Sequence, residues 1–69
     1  MTDSKPPLRL RGIVRMSDRG PLLEVADGPV WRLETRDDLH AHRDQNVQIE
    51  AWQRGPSLLE LLWIGPASD

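Results

Sequence analysis

TRDDLHAHRD, residues 35–44, lies between two runs of alternating residues, and within it the alternation stops. It holds few β-formers. Thr35 followed by Asp38 fits a capping box, and acidic residues fill the first turn, where the positive end of a helix dipole favours them. The stretch predicts one or two helical turns, with Leu39 as the inward anchor. Where that helix sits in the order of elements decides the fold.

On its N-terminal side, VWRLET, residues 30–35, reads as a strand with Trp31, Leu33 and Thr35 on one face and Val30, Arg32 and Glu34 on the other. Trp31 is expected in the core, where it fills the barrel. Before it comes PLLEVA, residues 21–26, with Leu23 and Val25 inward, and ADGP, residues 26–29, reads as a tight hairpin turn. Further back, LRLRGIVRMS, residues 8–17, alternates over ten residues. Leu8, Leu10, Val14 and Met16 share one face, Arg9, Arg11 and Arg15 the other. Gly12 takes an inner-face position, and glycine inside a strand marks a bend suited to a sheet that coils into a barrel. SDRG, residues 17–20, is the turn between the first two strands.

On the C-terminal side, NVQIEAWQ, residues 46–53, places Val47, Ile49 and Ala51 inward and Gln48, Glu50 and Trp52 outward. RGPS, residues 54–57, turns the chain into SLLELLWIG, residues 57–65. The order is β-β-β-α-β-β. It predicts an all-β protein: a small five-stranded Greek-key barrel like an OB-fold, with one short helix between strands 3 and 4. An SH3-like barrel is the alternative. Its helical turn lies between strands 4 and 5, where this chain has only QRGPS.

The last strand does not alternate. Leu58, Leu59, Leu61, Leu62, Trp63 and Ile64 are interrupted only by Glu60. If Leu59, Leu61 and Trp63 line the core, Leu58, Leu62 and Ile64 face outward; the opposite phase exposes Leu59, Leu61 and Trp63. The helix, an extended arm containing Pro6 and Pro7, or a second copy of the chain would have to cover the surplus. Contiguous exposed apolar groups mark interfaces. A protein interface at Leu58, Leu62, Ile64 and Trp52 follows, with a homodimer or another protein as partner.

Composition bounds the remaining readings. Sixty-nine residues make one domain, with 38% hydrophobic residues against disorder. We expect a flexible arm over residues 1–7, a single barrel over 8–65 and a loose tail over 66–69. There is no cysteine, so disulfides and thiolate metal sites are excluded. The N-terminus has no apolar core of a signal peptide, and no run approaches the roughly 20 apolar residues of a membrane span. A cytoplasmic location is the expectation, with no membrane partner. Four of the five glycines precede proline. Each such pair lacks the proline N–H that a phosphate cradle would use.

The arrangement of LRGIV at residues 10–14, GPVWRL at 28–33 and VQIEA at 47–51 resembles a family of short uncharacterised bacterial proteins found in alphaproteobacteria such as sphingomonads. The resemblance spans roughly residues 8 to 64. It implies an OB-like barrel and assigns no activity or functional residue.

Catalysis is not expected. The serines lie in a tail or at turns, outside any nucleophile motif. His40 and His42 are two apart, a spacing that separates them on a helix, and Asp37 and Asp38 serve a helix start. No metal, cofactor or small-molecule substrate is indicated. A second binding reading is single-stranded nucleic acid on Arg9, Arg11, Arg15 and Arg32 with Trp52, a base-stacking surface expected beside Arg11 and Ile13. Between Met1 and Arg15 four basic side chains face one acidic, Asp3. Against it stand the net charge of −2 and the outward Glu24, Glu34 and Glu50, which suit cross-strand ion pairs with the same arginines. Charge therefore favours a protein partner.

Overall fold

The computed structural model describes residues 7–26 and 28–67. Five strands form: β1 (Leu8–Ser17), β2 (Gly20–Glu24), β3 (Val30–Glu34), β4 (Asn46–Gln53) and β5 (Leu58–Pro66). They close into a barrel in the order β1-β2-β3-β5-β4. All pairings are antiparallel except β3 with β5. This is an OB-fold-like barrel, and the segment between β3 and β4 is the longest connection, as that fold requires. Residues 1–6, including Pro6 of the expected covering arm, and residues 68–69 lie outside the described residues.

β1 serves two neighbours in turn. Its first half pairs with β4 from Leu8↔Ala51 to Ile13↔Asn46, and its second half pairs with β2 from Ile13↔Glu24 to Ser17↔Gly20. The handover falls at Gly12 and Ile13. There a Cβ on residue 12 would stand 2.5 Å from the Glu24 carbonyl oxygen. The glycine is required by that close approach of two backbones.

The alternation of β1, β2 and β4 sets the core. Val14, Leu23, Leu33, Leu39, Val47, Ile49, Ala51 and Leu59 are buried, with Leu10, Met16, Val25, Trp31, Leu61 and Ile64 packed around them. Leu8, expected inward, remains 39% exposed. It is the first residue of β1, standing opposite the buried Ala51.

The expected helix is reduced to a single 3-10 turn, His40–His42. The two capping side chains are used otherwise. Thr35 Oγ1 accepts the Asp37 N–H at 3.1 Å, and Asp38 Oδ1 accepts the His40 N–H at 3.0 Å. Such local bonds offer the backbone an alternative to the helix ladder. Asp44 then takes a left-handed conformation (φ 60°), which ends the turn, and its N–H bonds the Val14 carbonyl. Leu39 still anchors the segment, 2% exposed.

The Asp38 carboxyl is held below its ordinary value of 3.8, chiefly by the His40 backbone N–H and then by the His40 ring. A folded value below the unfolded one contributes stability above the unfolded value, lost as pH falls through the folded one. Asp38→Ala is therefore expected to be less stable than the wild type at neutral pH. The gap closes in acid, below the ordinary carboxylate range. Urea unfolding at a series of pH values measures it, and a gap constant with pH would refute the assignment.

Candidate functional site: the outer face of β4 and β5

β5 takes neither of the two simple phases. Leu61 lies opposite Ala51 and Trp63 opposite Glu50, so one residue, Leu62, has no partner on β4. This is a β-bulge: two residues of one strand oppose one of the other and the phase slips. Before the bulge Leu59 and Leu61 point to the core; after it Ile64 does, opposite Ile49. Both halves of the strand therefore feed the same core. Ile64 is withdrawn from the expected interface for this reason, and Trp63 turns outward in its place.

The surface that results is specific. Leu62 is 46% and Trp63 51% exposed, and they are consecutive. The indole of Trp63 lies across Gly65, where a Cβ would meet its Cη2 and Cζ2 atoms at 2.6 Å. Glycine at 65 is what lets the ring lie down. Trp52, half-buried, is on the same outer face, opposite Glu60. Leu58 is outward too, but it stands opposite Arg32 on β3, at the other end of the strand.

The arginines do not gather into one basic surface. Arg9 pairs with Glu50 at 3.1 Å. Arg15 holds Asp44 at 2.8 Å and Glu24 at 3.4 Å, and these contacts, the Asp44 hydrogen bond first, raise its already high pKa. Arg32 lies on β3, between Leu22 and Leu58 in the register. Arg11 and Ile13 stand opposite Gln48 and Asn46. Trp52 is four residues further along β4 than Gln48, about 13 Å at strand spacing, so it does not neighbour Arg11 or Ile13 as expected. The aromatic ring closest in register to the first-strand arginines is Trp63, in one row with Arg9 and Glu50.

An apolar centre of Leu62, Trp63 and Trp52 is thus bordered by Arg9–Glu50 and by Arg54–Glu60, the latter at 2.6 Å. An apolar centre with a charged rim is the anatomy of a protein interface. Among the described residues no group of three or more His, Cys, Asp or Glu side chains is placed to hold a metal ion. Among them, too, no helix is long and apolar enough to cross a membrane.

Fold and surface together define a small closed β-barrel with one apolar, charge-rimmed outer patch. The chain belongs to the DUF5818 family of proteins of unknown function, whose model matches residues 11–67. Comparison with curated proteins and with solved structures gives no match.

Proposed function

We propose that the barrel is a non-catalytic interaction module that self-associates, two copies meeting at Leu62, Trp63 and Trp52. The observation behind this reading is the bulge, which turns two consecutive large apolar side chains outward when a regular strand would turn one. The rim argues for a second copy as the occupant. Each bordering ion pair presents both signs, so a two-fold operation can set arginine against glutamate on both sides. Nucleic acid fits this face less well, because Glu50 and Glu60 would meet its phosphates and Arg15 is already engaged. A cytoplasmic setting in a bacterial cell accompanies the reading; the sequence has no cysteine that would call for an oxidising compartment.

Leu62 and Trp63 are already half-covered, so each gains about half of the usual 1.5–3 kcal/mol on complete burial. Two from each copy give about 3–6 kcal/mol, against an association cost of about 4 kcal/mol or more. The Leu62 and Trp63 contacts therefore roughly balance the association cost, so Trp52 and the rim must supply the surplus, and the dimer is weak.

Sedimentation equilibrium up to about 1 mM protein should show a monomer–dimer equilibrium in the wild type. Leu62→Glu should be monomeric throughout and still folded, at a cost of about 1 kcal/mol for the half of the side chain already covered. A wild type that stays monomeric at 1 mM, or a Leu62→Glu variant that still dimerises, overturns the proposal.

A further inference from the structure

One strand round the barrel from β5, the turn between β1 and β2 and the outer face of β3 border a cleft of about 290 Å³, lined among others by Arg19, Gly20, Arg32, Glu34, Thr35 and Leu58. We propose that this cleft binds a phosphoryl oxyanion through Arg19 and Arg32.

The arginines divide into those already engaged and those without a carboxylate. Arg9, Arg15, Arg43 and Arg54 each hold a carboxylate. Among the described residues, the side chains of Arg19, Arg32 and Arg36 hold none; Arg19 and Arg32 line this cleft together, and Arg36 lines the neighbouring one. Glu34 lines the same cleft and Asp18 adjoins Arg19 in sequence, so acids are near and yet unpaired with them. Two guanidinium groups and one carboxylate therefore line a single concave site, and an anion there would meet donors from both arginines.

Both arginines sit on firmly held backbone. Arg32 is central in β3, and its N–H bonds the Ser57 carbonyl at 2.8 Å. In the register it stands between Leu22 and Leu58, whose side chains can support its aliphatic stem. Arg19 rides on a fastened turn. The Ser17 hydroxyl donates to the Gly20 carbonyl at 2.7 Å and accepts the Arg19 N–H at 3.3 Å. Guanidinium forks match the oxygens of phosphate or carboxylate in two-point contacts, which an ammonium cannot do. Thr35 Oγ1 accepts the Asp37 N–H, so its hydroxyl hydrogen remains available to donate.

Glu34 restricts what fits. Two cations and one carboxylate leave a single net positive charge in the cleft. A compact phosphate is therefore favoured over a chain of phosphates, which would bring charge against Glu34. Leu58 offers a half-buried apolar side to the body that carries the phosphate. The ligand chemistry is a single phosphoryl group on a partly apolar body, from a free phosphomonoester or from one link of a single-stranded nucleic acid.

The test uses full-length protein carrying Leu62→Glu, so that self-association, or its failure, does not enter the readout. Its NMR spectrum is titrated in separate arms with inorganic phosphate, a nucleoside monophosphate and a short single-stranded oligonucleotide. The expected result is saturable shifts at the Arg19 and Arg32 side-chain N–H groups and the Gly20 and Thr35 amides. Arg19→Gln and Arg32→Gln should each weaken binding about tenfold or more, the loss of a charge-assisted contact. Arg36→Gln, which faces the neighbouring cleft of Asp37 and Glu60, should leave it unchanged. A monophosphate that binds as tightly as the oligonucleotide identifies a small phosphomonoester; a tighter oligonucleotide on the same residues identifies nucleic acid. Absence of saturable shifts in all three arms overturns the proposal. So does an Arg36→Gln loss as large as that of Arg32→Gln, which would mean diffuse charge and no site.

Discussion

Gly12→Ala is expected to lower the melting temperature by about 8–16 °C, at about 4–8 °C for each kcal/mol in a domain of this size. The added methyl would stand 2.5 Å from the Glu24 carbonyl oxygen and 3.1 Å from Leu23 Cδ1. Leu23 is fully buried, and the carbonyl belongs to the residue that pairs with Ile13, so neither can swing aside without disturbing the β1–β2 ladder. Overpacking of this kind costs about 1–3 kcal/mol, and a backbone atom as obstacle puts the cost at the upper end. Gly12 has no left-handed φ, so the alanine pays no conformational penalty and recovers about 0.4–1 kcal/mol by stiffening the unfolded chain. The net loss is about 2 kcal/mol, against a total near 3–10 kcal/mol for a chain of this length. Gly55→Ala is the control, since its Cβ would meet nothing nearer than 3.7 Å. Thermal unfolding of the two variants decides the matter. Equal melting temperatures would show that β1 and β2 can separate at the handover.

The barrel was legible wherever one periodicity ran the length of a strand. In β4, Val47, Ile49 and Ala51 alternate with Gln48, Glu50 and Trp52, and that pattern alone separates core from surface. In β1 the arginines mark the outer face and Gly12 marks the bend. The 35–44 segment was legible as an interruption but not as its conformation. Thr35 and Asp38 are as well suited to local turns as to a helix start, and the spacing cannot say which backbone N–H each will meet.

The surface site was harder to read, because a bulge has no composition of its own. With apolar residues on both sides of Leu62, no periodicity shows where the phase slips. One signal of it is present in the sequence. Gly65 lies two residues after Trp63, on the same face of a strand, and a bare glycine beside an aromatic residue is a place for the ring to lie across. That pairing favours Trp63 outward, and Ile64 inward follows. The ion pairs were foreseeable as a class but not as partners. Arg9 meeting Glu50 depends on register, which alternation within a single strand does not specify. The cleft at Arg19 and Arg32 joins a turn to a strand surface and has no sequence signature at all.

Ile49→Ala is expected to cost about 2–5 kcal/mol, the range for emptying a fully buried branched side chain, and so to remove much of the stability of a domain this small. Ile49 is completely buried between Leu10 on β1 and Ile64 on β5, its register partners on either side. The second neighbour exists only because of the bulge. In a regular continuation of Leu59 and Leu61, Trp63 would point inward and Ile64 would face solvent, out of reach of Ile49. Ile49→Val, at about 0.5–1.5 kcal/mol for a fully buried site, and Ile64→Val, at less for a partly buried one, leave the protein folded enough for a double-mutant cycle. Because the two side chains share one packing site, the double variant should fall short of the sum by about 0.5 kcal/mol. Leu62→Ala, on the outer face, should cost the monomer about 1 kcal/mol or less and add independently to Ile49→Val. Additive isoleucines together with a Leu62 that couples to Ile49 would place β5 in the opposite phase beyond Leu61, and the apolar patch of Leu62 and Trp63 would no longer exist as an interface.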